Sequence, residues 1–246
     1  MLDSSEVKQV ALAVGFDDCG IARADALGEE EFPLDHWLSE GHHGELHYME
    51  RNAAMRRDPR LLLPGAKSVI CVVSAYPPPS RGECGGIAAY ARQRDYHTAI
   101  KSMLRSLQQR LGIEGKLCCD TVPISDKLWA SHAGLGWIGR HSLLITPRWG
   151  TWVNLGEIVT TEQCTAYSQA TAQRAAHCGS CHRCVDACPN HALDSLFDAT
   201  RCTAYYTTHH PRPMPTTLNP SGYTLGCDLC QLACPHNQKY LTGDKQ

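Results

Sequence analysis

The segment "CGSCHRCVDACPN" places Cys178, Cys181, Cys184 and Cys188 within eleven residues, with Pro189 directly after the last. Three thiolates at such short steps can wrap one corner of an iron–sulfur cube, while the fourth, ahead of a proline, points away toward a different cluster. A second run, "GCDLCQLACPHN", supplies Cys227, Cys230 and Cys234, again followed by proline, Pro235. It is one ligand short, with Ala233 where a third close cysteine would sit, and Cys202 of "DATRCTAYY" lies between the runs to complete the number. Eight thiols are the complement of two four-iron clusters. Structural zinc also takes paired C-x2-C steps, but it has no use for the third cysteine of the first run or for the two Cys-Pro endings.

The pairing pattern of two-cluster ferredoxins assigns Cys178, Cys181, Cys184 and Cys234 to one 4Fe–4S cluster and Cys188, Cys202, Cys227 and Cys230 to the other. Such crossing ties both runs into one small unit, an electron relay. The remaining six of the 14 cysteines are Cys19, Cys71, Cys84, Cys118, Cys119 and Cys164. Most read as small buried hydrophobes; Cys84, in a Gly-rich loop, is the one kept as a candidate site residue. A disulfide framework is the poorer account, because the N-terminus shows no secretory pattern and reduced thiols belong to the cytoplasm. No apolar run reaches the ~18 residues of a membrane span. With 43% hydrophobic residues the chain can bury a core, and its net charge of −2 is not that of a general nucleic-acid binder.

The elements that must hold a partner for this relay precede it. "SEVKQVALAVGF" has helical spacing and a closing glycine. "CGIARAD" reads as a short strand, "PLDHWLSEG" as a helix ending at Gly41, and "SVICVVSAY" as a buried strand stopped by prolines. "DYHTAIKSMLRSLQQRLG" is an amphipathic helix closed by Gly112. "GKLCCDTVP" leads from a strand into a loop, "SDKLWASHAG" is a helix with Ser125 as its cap, and "SLLITP" and "TWVNLGEIV" are strands. This makes an α+β chain: an N-terminal α/β unit over residues 1–165 and a two-cluster ferredoxin-like unit over 166–246, joined at about 160–177. "GLGWIG" follows a helix rather than a strand, so it is not a dinucleotide loop.

Taken together, "RRDPRLLLPGAKSVI", "ARQRDYH", "DTVPISDKLWASHAGLGWIGRHSLLITPRWGTWVNLGEI" and the two cysteine runs resemble the epoxyqueuosine reductases, over roughly residues 15–240. The resemblance implies a cobalamin in the N-terminal unit, fed by two 4Fe–4S clusters. It also implies reduction of an epoxide on tRNA to an alkene, with an external low-potential electron donor; the expected compartment is the cytoplasm, from the lack of a secretory pattern, and the oligomeric state is left open with a monomer favoured. It makes Asp120, which opens "DTVP", the proton donor, as a carboxylic acid buried beside a corrin would hold its proton near neutral pH. Without the resemblance Asp120 would be a loop carboxylate bonded to backbone N–H groups. By motif position Arg51, Leu144 and Leu155 match cobalamin contacts, although two leucines in strands are also ordinary core. Ala88 stands where some relatives carry a cysteine. Trp137 and Trp149 are candidate pocket walls.

The chain departs from the resemblance in lacking C-terminal helical repeats, in "NPSGYTLGCD" ahead of the second run, and in Asp126 where a glutamate is usual. Phosphate contacts would fall to Arg56, Arg57 and Arg60 with Arg92 and Arg94, if these are not simply a solvated face. His42, His43 and His47 read as surface or rim histidines, His97 as part of a motif, and His209 and His210 as loop residues. Two alternatives stay open: a related cobalamin and iron–sulfur reductase of a small molecule, in the manner of reductive dehalogenases, and a non-enzymatic electron carrier.

Overall fold

The computed structural model describes residues 1–28, 33–169 and 176–241. Helix α1 (Ser4–Val14) starts where the Asp3 carboxylate accepts from the N–H groups of Ser5 and Glu6, and stops at Gly15 with φ 116°. Strand β1 (Asp18–Arg23) follows, then the short helices α2 (Leu34–Ser39), α3 (His47–Arg51) and α4 (Ala53–Arg57). Strand β2 (Ser68–Ala75) leads through the two-residue β3 (Gly86–Ile87) to the long helix α5 (Tyr96–Leu111), which Asp95 caps and Gly112 closes. Strand β4 (Gly115–Cys118), helix α6 (Asp126–His132), the hairpin β5 (Trp137–Ile138) with β6 (Leu144–Ile145), and β7 (Val153–Thr160) complete the first unit. The second contains α7 (Arg183–Asp186), α8 (Thr203–Thr208), β8 (Tyr223–Leu225), α9 (Leu229–Leu232) and α10 (Gln238–Leu241).

The main sheet has the order β1-β2-β7-β4 and is antiparallel throughout. Strand alternation sends Ile70 and Val72 to one face, where α1 and α5 cover them with Val7, Ala11, Ile100, Leu104 and Leu107. Val69, Cys71 and Val73 face the other way, under Trp129, Ala130 and Ala133 of the α6 segment. Each such buried aliphatic side chain contributes about 1.5–3 kcal/mol. The layers lie close: a Cβ on Gly20 of β1 would stand 2.0 Å from the Ala133 carbonyl oxygen. Similarly, a Cβ on Gly136 would meet the Ile145 carbonyl at 2.3 Å, so the glycines of "GLGWIG" serve hairpin packing. By the same alternation Leu155, Glu157 and Val159 of β7 point to the α6 face, while Gly156 faces α5.

The α+β class stands. Ser125 occupies the N-cap position of α6 but makes no side-chain cap bond. Residues up to 168 still pack on the first unit, as Ser4 donates to the Ala166 carbonyl at 2.6 Å and the Ser168 N–H to that of Ile21 at 2.8 Å. The boundary therefore falls beyond 165; positions 170–175 of the expected join lie outside the described residues. The two units are knit by β3 pairing with β8 and by Tyr76 and Trp152 packing with Leu241.

Candidate active site and iron–sulfur centres

The eight cysteines fall into two groups. Cys234 faces Cys184, Cys178 and Cys181, each of which adds to the rise of its thiol pKa to about 11, after burial as the main cause. Cys202 neighbours Cys227 and Cys188, and burial pushes its thiol up to about 11 as well. Cys230, half-buried, faces Cys202, Cys227, Cys184 and Cys188, so the groups adjoin. Backbone and side chains brace them: Arg140 donates to the carbonyls of Cys181 and Gly179 at 3.0 and 2.7 Å, and the Ala192 N–H points at the Cys188 sulfur at 3.4 Å. Four thiols per group are the donor set of a 4Fe–4S cluster. Thiols that are hard to ionise in an apolar site fit it, because a coordinating metal removes the proton outright.

Cys188, Cys202, Cys227 and Cys230 line a cavity of about 340 Å³. A second cavity of about 430 Å³ adjoins it, lined by Asp120, Asp126, Trp37, Met49 and Leu128. Tyr96, Lys127, Ser142, Val153, Leu155 and Phe197 belong to both walls. The thiols of one quartet and Asp120 thus open onto one continuous, largely apolar space.

Asp120 sits in the loop from β4 to α6 with φ 54°, a left-handed conformation that aspartate tolerates better than most residues. Its N–H donates to Asp126 Oδ1 at 3.4 Å. The partners of its carboxylate are side chains rather than backbone: Tyr96 donates its hydroxyl, and His97 Nε2 lies 3.1 Å away with Nδ1 on Asp95 at 2.6 Å. The Asp120 side chain is half-exposed, at 47%, so the expectation of a buried acid does not describe it. The desolvated carboxyls lie beneath it. Burial and Asp120 push the Asp126 carboxyl up to about 6, and burial and Asp126 hold that of Glu157 well above its usual range. Burial holds His209, which faces Asp120, below the usual histidine range.

Of the residues read as cobalamin contacts, Leu144 lines the first cavity and Leu155 both. Arg51 is exposed at the end of α3 and belongs to neither wall, because the helix turns Met49 inward instead. Trp137 packs on His177 and His236, with ring centroids 4.7 and 5.1 Å away, and Trp149 packs on the core; the cavity tryptophan is Trp37. Ala88 is buried against β8, and Cys84 is exposed. Arg56 is no phosphate contact: it is buried, stacks over Tyr48 and donates to the Ile124 carbonyl at 3.3 Å. Arg57 pairs with Asp35 and Arg60 with Asp58, both at 2.8 Å, and Arg92 pairs with Glu83, while Arg94 is exposed. His43 is buried rather than superficial, its Nε2 3.1 Å from Glu50. Sequence reasoning passed over Lys127 and Glu157; a glutamate inside the apolar strand "VNLGEIV" was the available signal.

The fold and the paired thiol quartets define an iron–sulfur protein whose second quartet opens onto a half-open, largely apolar cavity. Residues 56–124 match the sequence profile described as "Epoxyqueuosine reductase QueG, DUF1730", and residues 177–237 that of the "4Fe-4S double cluster binding domain". The epoxyqueuosine reductase of Gloeobacter violaceus is 40% identical over 95% of this chain and 76% of its own. That of Cellulophaga algicola is 37% identical over 96% and 79%. The chain therefore belongs to the epoxyqueuosine reductases, a family of oxidoreductases. A solved epoxyqueuosine reductase with a tRNA-Tyr epoxyqueuosine-modified stem loop superposes with a TM-score of 0.86 at 28% identity, over 95% of this chain and 65% of that one. The Streptococcus thermophilus reductase gives 0.83 at 30%, over 95% and 66%. The chain spans about two thirds of the length of these solved relatives. A reductive dehalogenase at 16% identity and TM-score 0.60 shares the fold alone. No helix among the described residues is long and apolar enough to cross a membrane.

Proposed function

We propose that this protein reduces the epoxide of epoxyqueuosine in tRNA to the alkene of queuosine, with Asp120 as proton donor. Two electrons and two protons are consumed, and the oxygen leaves as water. The ligands of one 4Fe–4S cluster are Cys178, Cys181, Cys184 and Cys234; those of the other are Cys188, Cys202, Cys227 and Cys230. An external low-potential donor supplies the electrons. Cobalamin bound in the joined cavities would supply a strongly reducing centre beside the substrate. Leu144 and Leu155 would flank it, and the apolar walls fit a broad macrocycle held by contact rather than charge.

The single observation that carries this reading is the continuity of space from the second thiol quartet to Asp120, past Leu155 and Tyr96. Asp120 is oriented by Tyr96 and His97, so that its carboxyl is held at the cavity wall before substrate arrives. Lys127, which donates to the Ser142 carbonyl at 2.6 Å, braces the part of the wall that both cavities share. The tRNA assignment draws on the solved relative that holds a modified stem loop. The test is reconstitution without oxygen of both clusters and cobalamin, then conversion of epoxyqueuosine tRNA with a low-potential reductant. Turnover in the native protein and its loss in Asp120→Asn is expected. A corrin-loaded protein with no turnover would refute the substrate, and a protein that takes up no corrin would leave an electron carrier.

A further inference from the structure

Glu157 is the one carboxylate at the centre of the sheet. It is 0% exposed, and neither of its oxygens has a hydrogen-bond donor within reach. Its cross-strand neighbours are Cys71 on β2 and Cys118 on β4. An unpaired carboxylate in such a site would cost several kcal/mol, and the usual outcome is that the group keeps its proton. The group it does approach is another carboxyl, that of Asp126 at the start of α6. Two carboxyls in contact form a hydrogen bond only when one of them carries a proton. Asp126 in turn lines the cavity and accepts the Asp120 N–H. Carboxyls therefore run in a line from the buried centre of the sheet to the reaction space.

We propose that Asp126, at the cavity wall and backed by the buried Glu157, forms a proton reservoir beneath Asp120, and that Asp126 delivers the second proton of the reduction. This rests on the function proposed above, whose stoichiometry needs two protons, one more than a single carboxyl donor can deliver. Asp120 protonates the epoxide oxygen as the first C–O bond breaks, leaving a hydroxyl on the neighbouring carbon. Asp126 protonates that hydroxyl as the second C–O bond breaks. Water leaves, the alkene π bond forms from the two electrons supplied through the clusters, and Glu157, still protonated, donates a hydrogen bond to the Asp126 carboxylate left behind. Solvent restores both protons once product has left.

The groups facing the pair favour this protonation. Asp120 from the loop, and the thiols of Cys71, Cys118 and Cys119 from β2, β4 and its continuation, surround it. The cation nearby is Arg56 of α4, whose guanidinium is committed to the Ile124 carbonyl. Burial and Asp120 together place the Asp126 carboxyl at about 6, so it can both hold and give a proton near neutrality.

The test is infrared difference spectroscopy of the protein carrying its clusters, titrated between about pH 5 and 8, beside single-turnover assays. One protonated-carboxyl band should persist at the top of that range and vanish in Glu157→Gln. A second should titrate near 6 and vanish in Asp126→Asn. With tRNA substrate, Asp126→Asn should lose about 100-fold in rate at the acid end, where the native carboxyl holds its proton, the gap narrowing toward pH 8, and Asp126→Glu should recover most of the loss. Absence of any protonated-carboxyl band at neutral pH in the native protein overturns the reservoir, whatever the variants do. Both bands present with an unchanged rate and pH profile in Asp126→Asn overturns the delivery step. A native protein that converts no epoxyqueuosine sinks the proposed function and the delivery step with it, while the bands still decide the reservoir.

Discussion

Asn237 and Thr151 hold each other across the two units of the chain. The Thr151 N–H donates to Asn237 Oδ1 at 2.9 Å, and Asn237 Nδ2 donates to Thr151 Oγ1 at 2.7 Å and to the Gln231 carbonyl at 2.8 Å. Asn237 is wholly buried, and the neighbouring Gly150, at φ 58°, leaves the space its amide fills. Asn237 follows the last cluster cysteine, Cys234, by three residues, so this latch ties the second cysteine run to the segment that leads into β7. Asn237→Leu would leave the Thr151 N–H buried without an acceptor and the Gln231 carbonyl without the Asn237 donor. A loss of about 2–5 kcal/mol in denaturant unfolding is expected, together with slower electron delivery. A stability change under about 0.5 kcal/mol would show the latch to be idle.

The close approach of β1 to the α6 segment gives a second test. Gly20→Ala would drive a methyl into the Ala133 carbonyl, which cannot move without shifting α6 and with it Asp126. Overpacking of this kind costs about 1–3 kcal/mol. The expected outcome is a lower melting temperature and reduced turnover with clusters still bound. Wild-type melting and turnover would mean that α6 is free to adjust.

The cluster ligands were legible because thiol spacing is local: C-x2-C-x2-C-x3-C-P reports its own geometry with no knowledge of the fold. The long helices and buried strands were legible for the same reason, from caps such as Asp95 and stops such as Gly112. Asp120 came only through family resemblance, since a carboxylate in a loop has many ordinary uses. Its surroundings could not be read at all. The contacts of Asp120 with Tyr96 and His97 join segments more than twenty residues apart, and Glu157 reaches Asp126 across thirty-one residues. The arginines failed for the converse reason: a basic run looks the same whether it faces solvent or, like Arg56, fills a core.

The crossed quartets make a sharp spectroscopic prediction. Cys188→Ser should disturb the cluster that borders the cavity, although its nearest sequence neighbours belong to the other one. Iron content should fall by about half and the paramagnetic signal of one reduced cluster should disappear. Cys234→Ser should remove the complementary signal. If Cys188→Ser instead removed the signal that Cys181→Ser removes, the crossed assignment would be lost.

Tyr96 supplies a test of how Asp120 is held. Burial and the neighbouring Asp120 push the Tyr96 hydroxyl well above its ordinary range, so it remains a donor across the working pH. Tyr96→Phe removes that donor and leaves His97 as the remaining orienting side chain. Turnover should fall by about 10–100-fold with corrin binding little changed. An unchanged rate would show that His97 alone suffices.

The raised carboxyl of Asp126 also has a consequence for stability. Its folded value is about 6, against 3.8 for the unperturbed group. The folded state therefore binds more protons than the unfolded chain between these values, and stability must fall as pH rises through that window. The contribution is fully present below the unfolded value and lost above the folded one, at a scale of a few kcal/mol. Asp126→Asn cannot ionise and still offers an oxygen to the Asp120 N–H. It should flatten the decline between about pH 4 and 6 and make the protein more stable than wild type at neutral pH, even as it slows the reaction. Parallel stability profiles for the two proteins, measured by denaturant unfolding across that range with clusters intact, would contradict the desolvated carboxyl.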